Sequence, residues 1–269
     1  MRVFATAFAV LALASSPAMG QAIDTASHDK TFLTRQDLAL SGVALGATAL
    51  LSRFDSRIAR ASQKGRVEGT GLDRTALRIS KVNETSLTVA GLLTYGIARA
   101  AGQRTVTDIA LHATESVVLA SLASQLIRGP LGRSRPYVTH DSDQYDFSFG
   151  GGFKTKEAGF RRRAFPSIHT SSAMAVATVL VMETNRRNPG ATKFVAPVLF
   201  AAGMLPGLAR IQLDQHWASD VFAGAFMGVF AGYKVVSYSH DHPNNFFDRT
   251  LLKASVMPTT HGVSFGFDF

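Results

Sequence analysis

Cysteine is absent from the 269 residues. That excludes a disulfide scaffold, thiol chemistry and zinc sites of the finger type. Charge is scarce, at 17% of residues, and acidic charge is scarcer still: 19 Asp and Glu against 28 Lys and Arg leave a formal net charge of +9. With 46% apolar residues the chain has material for a substantial core and is not a disordered type. The basic excess asks for an anionic partner. No basic run is interleaved with aromatics, so no nucleic-acid partner is expected, and an acidic membrane surface or a phosphorylated substrate remains. Strand-like alternation is missing until the last residues, and internal repeats and low-complexity segments are missing throughout.

The first residues set Arg2 before an apolar stretch from Val3 to Ala14 and a small-x-small end at Ala18-Met19-Gly20. This layout predicts a secretory signal peptide over 1–20, cut after Gly20. An uncleaved anchor is the alternative, but the apolar part is about 12 residues where a spanning helix needs about 20. Under either reading the chain is exported, to the periplasm or to a membrane with its site facing the periplasm. Six apolar runs follow: Leu38–Leu51, Leu87–Ala101, Ile109–Ile127, Ala173–Met182, Phe194–Leu208 and Val221–Val236. Their lengths and their Ala, Leu and Val content predict six helices and an all-α fold, a six-helix-type bundle over residues 21–240 with a tail at 241–269. Most runs are shorter than a bilayer span or carry polar groups such as His112 and Glu115, so the expectation is a bundle with an unusually apolar surface, suited to a membrane.

Two long polar connections separate the runs. Ser52–Ser80 is rich in arginine and reads as a solvated face with short helical pieces, and Tyr137–Phe165 carries a Gly150-Gly151-Gly152 hinge and the basic cluster Arg161, Arg162 and Arg163. In the tail, Val263, Phe265, Phe267 and Phe269 recur at period two, a short strand signal expected to pack on the bundle.

Polar chemistry is concentrated in three islands. In "RIQLDQHWASD" a helical spacing brings His216 and Asp220 to one face, where the carboxylate would orient the ring, and Arg210 would reach in from a turn after Pro206-Gly207. A His–Asp pair is also a common surface feature; Asp214 beside it could suggest metal ligands, a weak reading without cysteines or an HExxH pattern. In "AFPSIHTSS" Ser167 reads as the N-cap of a helix whose first N–H groups would face an anion, with His169 in the first turn. In "IRGPLGRSRPY" Arg128, Arg133 and Arg135 emerge where Gly129-Pro130 and Gly132 break a helix, so their guanidinium groups can converge on phosphate oxygens. A membrane-flanking basic cluster is the alternative.

Taken together, Arg128 separated by six residues from Arg135-Pro136, then Pro166-Ser167-Ile168-His169, then Arg210 with five residues to His216 and three more to Asp220 resemble the three-part signature of the type 2 phosphatidic acid phosphatase (PAP2) and vanadium haloperoxidase superfamily. The resemblance covers roughly Leu111 to Tyr238. Three positions depart from it: Arg128 stands for a lysine, Ile168 for a glycine at the phosphate-contacting backbone, and Ala209 for a serine. The resemblance implies a metal-independent phosphatase. Arg128, Arg135 and Arg210, with Ser167 and the backbone at Ile168, would hold the phosphoryl oxygens. His216 would be the nucleophile that forms a phosphohistidine, Asp220 its orienting acid, and His169 the general acid and base. The substrate expected is a lipid phosphate or diphosphate at a membrane surface; the alternatives are soluble phosphomonoesters in the periplasm, or haloperoxidase chemistry with vanadate as the sole cofactor.

Overall fold

The computed structural model describes residues 32–154, 156–252, 255–259 and 262–266. The expected signal peptide lies outside them, as do Phe267 and Phe269 of the tail. The elements are α1 (Arg35–Ser52), α2 (Asp55–Gln63), α3 (Gly71–Ile79), α4 (Glu84–Ala100), α5 (Arg104–Leu131), α6 (Lys156–Phe160), α7 (Ile168–Arg187), α8 (Pro189–Gln212), α9 (Ala218–Asp241), α10 (Phe246–Leu251) and the strands β1 (Ser255–Thr259) and β2 (Gly262–Gly266). The six long helices α1, α4, α5, α7, α8 and α9 contain the six apolar runs to within a residue, so the all-α expectation holds.

Helix starts follow local chemistry. Thr34 opens α1 with a capping box, its Oγ1 accepting from the Asp37 N–H at 3.2 Å while the Asp37 carboxylate accepts from the Thr34 N–H at 2.8 Å. Asn83 and Ser86 do the same for α4. Helix ends were less legible. Pro130 does not break α5, which runs through it and stops at Gly132, the left-handed C-cap with φ 63°. Likewise Pro206-Gly207 makes no turn: α8 continues through Pro197 and Pro206 to Gln212.

The central helix is α7, packed against α9, α8 and α5. Small residues bring the backbones close: a Cβ on Gly228 would sit 2.8 Å from Met174 Cβ, and one on Gly232 would sit 2.7 Å from Thr178 Cβ. Hydroxyl pairs join α5 to α7, with Ser124 to Ser171 and Ser121 to Ser172 each at 3.1 Å. Lys234 of α9 pairs with Asp37 of α1 at 2.8 Å. Outside this interior the surface is apolar: Val43, Ile97, Leu126 and Phe194 are each at least 70% exposed. By length and composition α5, α8 and α9 can each cross a membrane, and α1 with α2, bent by 55° between them, would make a fourth span.

Two features of the connections differ from expectation, and the tail strand agrees with it. The Ser52–Ser80 stretch is more than a solvated face, because Asp55 at the start of α2 is fully buried. Gly151 and Gly152 are buried rather than hinge-like, since a Cβ on Gly152 would fall within 2.7 Å of the Gly129 carbonyl oxygen. Finally, β2 pairs antiparallel with β1, Val256 opposite Phe265, so the tail is a hairpin and the alternation at Val263 and Phe265 does form a strand.

Candidate active site

All three polar islands meet at one end of the bundle, where α5 ends and α7 and α9 begin. Arg128 sits in the last turn of α5, Arg135 just before the 3₁₀ turn Pro136–Val138, and Arg210 in the last turn of α8. Backbone carbonyls of the long connection hold the first two guanidinium groups. The Arg163 carbonyl accepts from Arg128 Nη2 at 2.6 Å and from Arg135 Nη2 at 3.3 Å. Arg135 donates also to Phe160 O at 2.9 Å and Gln215 O at 2.8 Å. The Gln215 side-chain oxygen takes a bond from Arg210 at 3.1 Å and a longer one from Arg135 at 3.4 Å, so it ties two cations together; the sequence reading passed it over. The Arg161–Arg163 cluster contributes mainly through that carbonyl, for Arg162 pairs with Asp146 at 2.6 Å and the Arg163 side chain donates to Gly152 O.

His216 and Asp220 do meet, but not across a helical face. The helix α9 starts only at Ala218, and His216 lies in the preceding turn with its Nδ1 3.5 Å from Asp220 Oδ2. Asp220 caps that helix, accepting from the Trp217 N–H at 2.8 Å, and this capping geometry turns its carboxylate toward the ring. Ser167 is the N-cap of α7 by position, yet its hydroxyl makes no capping bond; it accepts instead from Thr170 Oγ1 at 2.9 Å. Its N–H donates to the Asp220 carbonyl at 3.0 Å, which locks the starts of α7 and α9 together. The N–H groups of Ile168, His169 and Thr170 are the free donors of a helix N-terminus. Ile168, at 2% exposure, keeps its side chain in the interior.

Arg133 stands apart from the other arginines. It donates to Asp220 Oδ1 at 2.6 Å, to Asp55 Oδ2 at 2.8 Å and to Ser219 Oγ at 2.8 Å, all of them buried. Asp55 also accepts from the Ser219 N–H at 2.9 Å and from its hydroxyl. So Asp220 is gripped by Arg133 on one oxygen and by Trp217 N–H on the other, and α2 reaches in to complete the network. Neither Asp55 nor Ser219 carried a sequence signal, because the partners lie more than a hundred residues apart. Asp214 faces Asp141 rather than His216, and burial followed by the neighbouring carboxyl pushes it up to about 7.

Electrostatically the site is a buried nest of like charges. Arg128, Arg135, Arg210, His169 and His216 lie near enough to act on one another's charge. Burial, then Arg210 and Arg128, pulls Arg135 down from its ordinary value. His216 is held well below the usual histidine range by burial and then by Arg135, Arg210 and Arg128. His169 is lowered to about 3 by burial and then by Arg210, Arg128 and Arg135. Both shifts favour the neutral imidazole. Neither ring nitrogen of His216 makes a hydrogen bond. His216 is 1% exposed while His169 and Arg210 are only half-buried, so those two mark the mouth and His216 the floor. The arrangement can bind a compact multivalent anion, whose charge relieves the repulsion, and present a neutral imidazole to it.

A model of the PAP2 superfamily matches residues 109–243, and the chain belongs to that superfamily. It is 33% identical over 86 residues to the lipid A 1-phosphatase of Porphyromonas gingivalis, a match covering 32% of this chain and 18% of that protein. It is 27% identical over 135 residues to the lipid A 1-phosphatase of Rhizobium etli, covering 50% and 52% respectively. The matches thus span about half the length of one of these curated relatives and under a fifth of the other. Its fold is similar to that of a transmembrane PAP2-type phosphatidylglycerolphosphate phosphatase from Bacillus subtilis, with a TM-score of 0.51 at 17% identity over 76% of this chain and 97% of that one. Its own helices include three that are long and apolar enough to cross a membrane.

Proposed function

We propose that the protein is a phosphatase that removes a phosphate from a membrane lipid through a phosphohistidine, with the site on the periplasmic face of the membrane it is exported to. The observation that carries this reading is the convergence of three guanidinium groups on a buried His216 whose Nδ1 faces Asp220. The phosphoryl oxygens bind to Arg128, Arg135 and Arg210 and to the N–H groups at the start of α7. His216 Nε2 attacks phosphorus, the N–P bond forms and the P–O bond to the lipid breaks in line. Burial and then the three arginines disfavour the charged form of His169; a bound phosphate dianion offsets the arginines' share, so His169 gains the proton that it gives to the leaving oxygen. In the second step His169 takes a proton from water, the hydroxide attacks phosphorus, and the N–P bond breaks to release phosphate. Asp220 keeps the His216 ring oriented and offsets the charge that it gains. The guanidinium groups carry the electrostatic load, so the scheme calls for no metal or other cofactor.

A lipid substrate is supported by the apolar outer surface and by the two lipid A 1-phosphatase relatives. A cavity of about 240 Å³ lined by Val138, Lys154, Ala158, Arg161 and Arg162 belongs to the connection that builds the site, and its basic rim suits a second acidic group on a lipid headgroup. The test is phosphate release in mixed micelles, chelator present, from lipid A 1-phosphate and glycerophospholipid phosphates against soluble phosphomonoesters. Faster turnover of a lipid is expected, with a loss of about 10³-fold or more in His216→Ala and an acid-labile phosphoenzyme trapped in the wild type. Wild-type turnover by His216→Ala would end the covalent scheme, and equal rates on soluble esters would end the lipid assignment.

A further inference from the structure

A second group of chemically capable side chains lies far from the arginines. His112 of α5, Glu183 of α7 and His240 of α9 bring one ligand atom each to within 4.8 Å of the others. Sixteen residues of α5 separate His112 from Arg128, about 24 Å of helix, and twenty residues of α9 separate His240 from Asp220, about 30 Å. The cluster therefore occupies the opposite end of the bundle from the phosphate site. We propose that it is a divalent transition-metal site, best suited to zinc, formed by His112 Nδ1, Glu183 Oε1 and His240 Nε2.

The donor geometry fits. Glu183 Oε1 lies 2.8 Å from His240 Nε2 and 3.5 Å from His112 Nδ1, and donors around a tetrahedral zinc ion stand about 3.3 Å apart. Two imidazoles and a carboxylate are a donor set that zinc and its neighbours favour over magnesium or calcium. The surroundings divide the work as a metal site would. Arg187 bonds the other carboxylate oxygen, Glu183 Oε2, which leaves Oε1 turned to the histidines. Asp248 Oδ1, without a hydrogen bond of its own, stands 3.7 Å from His112 Nε2, where it would take the ring N–H and fix the tautomer that frees Nδ1.

The independent observation is His112 itself: the residue is 2% exposed, and neither ring nitrogen has a hydrogen-bond partner. A buried imidazole whose nitrogens face carboxylate oxygens only at 3.5 and 3.7 Å, beyond good hydrogen-bond length, loses free energy that a metal bond at Nδ1 would offset. A cavity of about 170 Å³ bordered by Asp108, His112, Ser239, His240 and Asp248 leaves room for water to complete the coordination shell. Bound there, the ion would clamp the ends of α5, α7 and α9 together, with α10 supplying Asp248.

The experiment uses the untagged full chain in detergent, stripped with chelator and titrated with Co²⁺. One equivalent should produce the visible absorption of cobalt with nitrogen and oxygen ligands, zinc should displace it, and zinc should raise the thermal midpoint. His112→Gln and His240→Gln should each weaken binding at least tenfold, and Asp248→Asn should weaken it by about 10- to 100-fold with the band retained. The His216→Ala variant should bind cobalt as the wild type does, which separates this site from the phosphate site. A wild-type protein with no saturable band and no zinc-dependent rise in midpoint overturns the proposal, whatever the variants do. So does an undiminished band in folded His112→Gln.

Discussion

At the residue scale the chain places charges where water cannot shield them and lets local partners set their state. Arg128, Arg135, Arg210, His169, His216 and Asp220 could be picked from the sequence because they fall at fixed spacings within three short islands. Arg133 falls in the same islands, but its pairing with Asp220 and Asp55 does not show in the spacing, and Asp55, Ser219 and Gln215 carry no chemical signal of their own, although all four hold those residues in place and Asp55 reaches Ser219 from 164 residues away. Asp214 shows the same dependence on distant partners. It sits in a left-handed backbone conformation, φ 59°, beside Asp141, and its carboxyl is raised to about 7 from an ordinary 3.8. An acid whose folded value lies above its unfolded one binds more protons when folded, so its contribution is fully present below about pH 4 and is lost as pH rises through about 7. Asn tolerates left-handed backbone and has no proton to lose. Asp214→Asn should therefore flatten the pH dependence of the thermal midpoint between those values and leave the variant more stable than the wild type at pH 8. Parallel midpoint curves for the two proteins across that window would show that the carboxyl pair carries no strain.

At the element scale, the positions of the long helices were legible because each carries an apolar run, whereas their ends and their contacts were not. Proline and glycine suggest breaks at Pro130 and Pro206, yet both helices continue through them. The opposite role of glycine, letting backbones touch, depends on which helix lies alongside. Gly224, Gly228 and Gly232 recur every four residues on α9 and form the stripe that meets α7. A Cβ on Gly224 would collide with the Ser167 carbonyl and stand 3.3 Å from Thr170 Cβ, and Ser167 is the N-cap of the helix that points its N–H groups into the site. Gly224→Ala should thus cost about 1–3 kcal/mol by overpacking and reduce phosphate release as well, because the first turn of α7 must shift. Gly96→Ala in α4 meets nothing within 4 Å, so it should be neutral or add up to about 1 kcal/mol with activity unchanged. Thermal unfolding and turnover measured on both variants separate a packing role of the glycine stripe from a general effect of added methyl groups; equal behaviour would discard the stripe.

At the scale of the whole molecule the bundle has two chemically different ends joined by an apolar waist. The proposed phosphate site lies where α5 finishes and α7 and α9 start, while the His112, Glu183 and His240 cluster lies where α7 and α9 finish. The helix between them is long enough to carry the two ends to opposite faces of a hydrocarbon layer of about 30 Å. Composition alone could not reveal this: runs interrupted by His112 or Glu115 read as too polar to span, yet His112 is buried against neighbouring helices. The absence of cysteine makes the arrangement directly measurable, since any thiol introduced is the only one in the chain. Ser142 is exposed in the connection that builds the phosphate site, and Asn188 is exposed in the turn between α7 and α8 at the far end. In intact host cells a thiol reagent that cannot cross the inner membrane should label Ser142→Cys and should reach Asn188→Cys only after that membrane is permeabilised. The reverse pattern would invert the orientation and place the phosphatase site in the cytoplasm. Labelling of both from one side would mean that the apolar waist rests on the membrane surface or in an oligomer instead of crossing the bilayer.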